Sequence, residues 1–298
     1  MEISRKRIII FLCTVFFVTY IMAFFLMNNG GLSNPAASII FSVMMLIPAF
    51  SVIVSQFFTK EGIKNKYLKL NFRENAGKYL VSYFLMQILI ILGAVAFFCV
   101  FPKNFDRSLT SLSDMILQET GTRPSTSNLY SLMAVQLSFA FISGPIVNIL
   151  FAFGEEYGWR GYLFPHLSEY MSPLSSAFIT GIIWGLWHAP MIVMGYNYGT
   201  EYKFFPITGI FAMIIFCISV GIIFSYFTYK TESIFPSVLM HSAINAFSSS
   251  GVLFYNSNTP NPFIGPAPTG IIGGSAFIIF SIICAFLLRK ESKKCQKE

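Results

Sequence analysis

The sequence predicts an all-α, polytopic membrane protein of about eight transmembrane helices. Three observations predict it. Hydrophobic residues make up 55% of the 298 and aromatics 17%, with 34 Phe. Charged residues make up only 11%, where a soluble domain carries roughly 25%, too few to coat a water-facing surface. The apolar residues are also gathered into stretches of roughly 20 or more, the length that crosses about 30 Å of hydrocarbon at about 1.5 Å per helical residue. These stretches lack the polar alternation of barrel strands, so they read as helices, which satisfy their own backbone in lipid.

In chain order the expected spans are Ile8–Met27, Ala36–Phe58, Tyr79–Phe101, Leu129–Phe153, Leu174–Met194, Phe204–Tyr229, Ile234–Phe254 and Thr269–Leu288, all free of Asp, Glu, Lys and Arg. The first follows Arg5, Lys6 and Arg7 like a signal sequence, but it is long and has no small-x-small cleavage site, so it reads as a retained anchor. Basic residues set the orientation. Of the 20 Lys and Arg, all but Lys103, Arg107, Arg123 and Lys203 fall on the side of the termini, which places both ends in the cytoplasm. The net charge of +7 is then matched to anionic lipid headgroups and needs no nucleic acid. Residues 1–298 form one membrane domain, with 102–128 a Ser- and Thr-rich outer loop and 289–298 a basic cytoplasmic tail. The five cysteines, Cys13, Cys99, Cys217, Cys284 and Cys295, are scattered singly, so neither a disulfide framework nor a cysteine metal site is indicated.

Ionisable groups within a membrane are costly, so each one is a functional candidate. Glu155, Glu156 and Arg160 stand at the cytoplasmic end of the fourth span, His188 in the fifth, and His241 with Asn245 in the seventh. Glu156 and Arg160 are one helical turn apart and can pair, while Glu155 is rotated away by about 100° and is free to hold water. His241 and Asn245 project together, and Trp184 lies one turn from His188. His241 falls about 10 Å deep and Asn245 about 16 Å; Glu155 reaches about 14 Å if the fourth helix continues to Phe164, where Pro165 stops it. Taken singly, each has a bland reading: a structural ion pair for Glu156–Arg160, a packing histidine for His188, interhelical glue for Asn245. His166, beyond Pro165, reads as surface. Two acids, two histidines and an amide on three helices are hard to explain as packing.

Glu155-Glu156-x-x-x-Arg160, then Trp184-x-x-x-His188, then His241-x-x-x-Asn245, in that order on successive apolar segments, resembles the CPBP family of CAAX-protease and bacteriocin-processing intramembrane proteases, related to the type II CAAX prenyl endopeptidases. The resemblance covers about 129–254; the family's second motif usually starts with Phe, and Trp184 stands there. It implies a cytoplasm-facing intramembrane cavity and peptide hydrolysis. Carried onto these residues, Glu155 and His188 activate the attacking water, His241 and Asn245 face the carbonyl oxygen, and Glu156 with Arg160 holds the geometry. The chemistry agrees, since peptide hydrolysis needs a base for water and donors for the oxyanion.

Other intramembrane protease types are excluded by inspection. Asp106 and Asp114, the two aspartates, lie in the outer loop; no HExxH occurs; and Ser248–Gly251 lacks the first Gly of GxSG. Zinc held by Glu155, His188 and His241 with a fourth water is one arrangement. Metal-free general-base catalysis is the preferred expectation, because His241 and Asn245 at one-turn spacing suit an oxyanion pair. The expected substrate is a membrane-associated peptide or protein at the cytoplasmic face of the cell membrane. The Phe-, Ile- and Lys-rich composition points to an A+T-rich bacterial genome and argues against a prenylated protein as native substrate. The alternative is a non-catalytic membrane protein of the same fold, acting in bacteriocin immunity or as the partner of a sensor kinase. A transporter would also place Glu and His in spans, but it predicts internal repeats, and none is seen.

Overall fold

The computed structural model describes residues 2–60, 62, 66–256 and 261–295, and of 2, 3, 66 and 291–295 the backbone only. Lys64, Lys297 and the side chains of Lys66, Lys293 and Lys294, on which part of the charge asymmetry rests, lie outside the described residues, as does the Cys295 side chain. The chain is helical throughout: α1 Glu2–Asn28, α2 Ala37–Met44, α3 Ile47–Thr59, α4 Phe72–Val100, α5 Thr110–Thr120, α6 Thr126–Ile142, α7 Gly144–Val147, α8 Ile149–Gly158, α9 Phe164–Ser168, α10 Pro173–Trp187, α11 Ala189–Val193, α12 Ile207–Thr231, α13 Phe235–Phe247 and α14 Ser275–Cys295. Among the described residues there is no β-strand, only an isolated bridge between Phe105 and Tyr255.

Among the described residues five helical stretches are long and apolar enough to cross a membrane: Ser4–Asn28, Ala37–Thr59, Phe72–Val100, Pro173–Val193 and Ile207–Thr231. The chain is a multi-pass membrane protein. The expected span Leu129–Phe153 is instead broken into α6, α7 and α8. Gly144-Pro145 lies in its middle, and Pro supplies no N–H to the ladder and clashes with the preceding turn. In Ile234–Phe254 the helix proper is α13, which ends at Phe247. In Thr269–Leu288 the helix starts only at Ser275, after a run of turns.

Helix ends follow local chemistry. The Ser172 side chain accepts from the Ser175 N–H at 3.1 Å with Pro173 in the first turn of α10, a side-chain cap followed by a residue with no N–H to lose. Asp106 accepts from the Ser108 and Thr110 N–H groups and so starts α5 inside the outer loop. Pro165 was expected to stop the helix that carries the acids, and it does not. A π turn, Trp159–Leu163, follows α8 and leads directly into α9, which ends at Ser168. The wider turn lets the chain pass a residue that cannot donate.

The helices assemble with two distinct ends. At one end Ser55 Oγ donates to the Arg7 carbonyl at 2.9 Å, Tyr162 donates to Ser55 Oγ at 2.9 Å, and the Ile234 N–H donates to Tyr67 at 2.9 Å. Arg5 stacks on Tyr170, 5.8 Å from the ring centre. This end gathers the start of α1, the loop after α3, the α9–α10 turn and the α12–α13 turn. At the other end the Asp106 N–H donates to Phe254 at 2.8 Å and Tyr198 donates to the Thr269 carbonyl at 3.2 Å, which joins the loops before α5, before α12 and before α14. Between the ends, α8 lies against α3 with almost no gap. A Cβ on Gly154 would sit 2.6 Å from the Met45 carbonyl, and one on Gly158 would sit 2.4 Å from Pro48 Cβ. Glycines at one-turn spacing allow such close backbone approach in membranes.

Candidate active site

The two acids on α8 face different surroundings. Glu156 is fully buried and its Oε1 accepts from Arg160 Nη1 at 3.0 Å, the one-turn pair expected from sequence. The same oxygen lies 2.8 Å from His241 Nδ1, on α13. The Arg160 guanidinium carbon lies 4.4 Å from the centre of the Trp184 ring and 5.0 Å from that of Phe224. Its Nε and Nη2 have no hydrogen-bond acceptor among the described residues, and these aromatic faces take the place of one.

Glu155 points the other way. Its Oε2 accepts from Trp184 Nε1 at 2.7 Å and from Trp159 Nε1 at 3.3 Å, while Oε1 stands 3.9 Å from His241 Nε2. Two indole N–H donors hold one carboxylate oxygen, so the second is fixed in direction and left for another partner. A gap of this size between polar atoms is one that a water molecule bridges. Sequence reasoning placed Trp184 one turn from His188; its N–H donation, and all of Trp159's part, were not foreseen. Trp159 is four residues after Glu155, the one-turn spacing from which its bond was readable.

His188 sits at the break between α10 and α11. Its own N–H turns back to Gly185 at 3.2 Å, and its Nδ1 lies 2.8 Å from the Trp184 carbonyl. A carbonyl only accepts, so Nδ1 carries the proton and Nε2 of the neutral ring is the free lone pair. Likewise, if Glu156 keeps its charge beside Arg160, His241 donates from Nδ1 and keeps Nε2 for chemistry, the arrangement by which a carboxylate fixes an imidazole. Cys217 on α12 lies 3.9 Å from His188 Nδ1, a neighbour the sequence did not suggest. Trp184 is shared: its ring centre lies 5.8 Å from that of His188 and 5.4 Å from that of His241.

Glu155, His188, His241 and Asn245 all line one cavity of about 530 Å³. Asn245 is exposed into it, with the Met45 sulfur 3.9 Å from its Nδ2. Glu156 and Arg160 lie behind this wall rather than on it. Six sequence-selected residues are thus brought together from α8 with its π turn, α10 and α13. His166, read as surface, is instead buried, with Nδ1 3.0 Å from Glu169 Oε1 and its ring against Tyr162. It is remote from the cavity. Among the described residues no three His, Cys, Asp or Glu side chains form a group that could hold a metal ion. Glu155, His188 and His241 therefore do not make a three-ligand zinc set as they stand.

Ser38 and Ser42 of α2, Asn197, Ser249 and Thr269 also line the cavity, and all five belong to the end opposite the start of α1. The reason is where the helices break: α10 ends at His188 and α13 at Phe247, so their polar positions fall toward that end.

Residues 136–247 match the family model described as type II CAAX prenyl endopeptidase Rce1-like. All six site residues lie within that stretch, and the resemblance read from the motifs is borne out there. Over 108 residues the chain is 32% identical to CAAX prenyl protease 2 of Methanococcus maripaludis, a match that covers 35% of this chain and 39% of the relative's length.

Proposed function

We propose that this protein is an intramembrane endopeptidase that hydrolyses a peptide bond of a membrane-associated peptide or protein with a water activated by Glu155. The observation that carries the reading is Glu155 itself: a carboxylate in a membrane cavity, one oxygen held by two tryptophan N–H groups and the other facing His241 Nε2 across 3.9 Å. The match over 136–247 to a family named for endopeptidase activity supports it.

In this reading Glu155 Oε1 takes a proton from water as the water oxygen bonds to the substrate carbonyl carbon. The same proton then passes to the leaving amine as the C–N bond breaks. His188, with its free Nε2, assists at the water. Asn245 donates to the oxyanion from its side-chain N–H, and His241 does so from Nε2 once that nitrogen has taken a second proton from water in the cavity before the attack. Glu156, held by Arg160, stabilises the imidazolium so formed. Since the acidic and imidazole groups do not form a metal-binding set as placed, no step is routed through a metal.

Glu155→Gln preserves an oxygen for the two indoles and removes the base, and general-base catalysis contributes about 10²–10⁴-fold. Comparative peptidomics of cells carrying wild type and Glu155→Gln is expected to show cleavage products that vanish in the variant while the protein still inserts. Identical peptide profiles with equal amounts of membrane-inserted protein would overturn the reading.

A further inference from the structure

Resting on the endopeptidase reading and on the place it gives His188, we infer that Thr19 and Tyr20 of α1 are positioning residues for that histidine. α1 lies outside 136–247, the stretch that matches the family model, and no side chain of it enters the chemistry set out above. Its inner face is the stripe Phe11, Val15, Thr19 and Ala23, spaced one turn apart and fully buried. Thr19 is the polar member of that stripe, and its hydroxyl is engaged: Trp187 Nε1 donates to Thr19 Oγ1 at 2.7 Å. Next along the helix, the Tyr20 hydroxyl donates to the Leu186 carbonyl at 3.2 Å.

Two consecutive residues of α1 therefore hold the two residues just before His188. α10 ends at Trp187, His188 is its C-cap, and Pro190 stands in the first turn of α11. In an unbroken helix the Leu186 carbonyl would accept from the N–H four residues on, at position 190, and proline has none. Tyr20 supplies a donor in its stead, where lipid would supply none. The His188 N–H has already turned back to Gly185. The direction of its imidazole then depends on how the Leu186–Trp187 end is held.

Trp187 carries the hold inward. Its ring centre lies 4.9 Å from that of His188 at 86°, and 6.0 Å from that of Trp159 at 68°, edge to face in both pairs. Trp159 in turn donates to Glu155. Trp187 is buried, so it cannot slide along either neighbour without leaving its N–H unpaired, which burial makes costly. The His188 imidazole is fixed on one side by the 2.8 Å contact of Nδ1 with the Trp184 carbonyl. On the other it meets a ring that α1 keeps in place. With Nδ1 committed, Nε2 stays the nitrogen free for the attacking water.

The chain has three histidines, His166, His188 and His241, so their ring signals can be read one by one. Full-length protein with isotope-labelled histidine rings is compared by nitrogen NMR in detergent as wild type, as the double variant Thr19→Val with Tyr20→Phe, and as Thr19→Ser. His188→Gln assigns the signal. The double variant keeps size and apolar character and removes both hydroxyls; Thr19→Ser keeps the acceptor. In the double variant the His188 signal is expected to leave the pattern of a ring protonated at Nδ1 for an average of both tautomers. The His166 signal should stay, and Thr19→Ser should keep the wild-type pattern. On a Glu155-dependent product, kcat is expected to fall about ten- to a hundredfold in the double variant while KM stays within about twofold, as loss of orientation without loss of binding requires. An unchanged His188 signal, an equal change at His166, the same change in Thr19→Ser, or an unchanged kcat overturns the inference. Absence of any Glu155-dependent product from wild type overturns the endopeptidase reading instead, and the ring signals, read without substrate, still decide whether α1 holds His188.

Discussion

Arg160 and Glu156 show how a charged pair is kept at the heart of a membrane bundle. Both are fully buried, and the guanidinium bonds one carboxylate oxygen while the Trp184 and Phe224 rings cover its other faces. Removing one partner of a buried pair leaves a bare charge and costs about 3–5 kcal/mol. Arg160→Ala is therefore expected to lower thermal stability in detergent by about that amount, read by a fluorescence melt. Arg160→Lys should recover only part, since an ammonium keeps the charge without the planar stacking. Melts equal to wild type would mean that the pair does not hold the helix end. At the same scale, Trp184→Phe keeps the ring between the two histidines and deletes the 2.7 Å bond to Glu155. A hydrogen bond to a charged group is worth about 1.5–3 kcal/mol, so cleavage is expected to fall by roughly ten- to a hundredfold, measured on any Glu155-dependent product. The one-turn Glu156–Arg160 pair was legible in the sequence because helical geometry alone dictates it. The Trp184–Glu155 bond was not, because 29 residues separate the partners and only packing joins them.

At the scale of elements, the site depends on how closely α8 is pressed to α3. Gly154 and Gly158 bracket the two acids, and a Cβ on Gly158 would fall 2.4 Å from Pro48 Cβ. Overpacking of this kind costs about 1–3 kcal/mol. Gly158→Ala is expected to lower the melting temperature and cleavage together, because α8 must move away and take Glu155 with it. Gly77→Ala in α4 is the matched comparison: nothing lies within 4 Å of its added Cβ, and replacing an unconstrained helical glycine gains about 0.5–1 kcal/mol. A stable, fully active Gly158→Ala protein would separate helix spacing from catalysis. Helix presence was readable from apolar runs, but helix breaks were misplaced. Gly144-Pro145 divides one expected span, and Pro165 is carried through a π turn where sequence reasoning ended the helix.

The whole molecule is wrapped in an apolar exterior that water would not tolerate. Phe17, in the middle of α1, is 68% exposed, and Phe24, Phe57, Phe211 and Phe286 are similarly bare. These side chains face lipid. Phe17→Arg sets a charge at the centre of a spanning helix, which costs about 2.5–3.5 kcal/mol on insertion scales. The expected outcome is a clear fall in the carbonate-resistant membrane fraction relative to wild type, and undiminished insertion would contradict a lipid-facing position. Inward, the same bundle is asymmetric: tightly filled around Phe11, Trp159 and Tyr162, hollow around Glu155, His188 and His241.

Composition and spacing by themselves determined that the chain is a helical membrane protein, which residues are chemically out of place in it, and which local pairs they form. Each of these follows from hydrocarbon thickness and the period of a helix, both properties of a single segment. Which indoles hold Glu155, whether His, Cys, Asp and Glu groups gather into a metal set, and which side chains line one cavity with Glu155 were decided only by the fold. Those depend on how segments distant in sequence meet, on breaks at Gly144, His188 and Phe247, and on which half of the bundle bulky side chains fill. No periodicity along the chain records them.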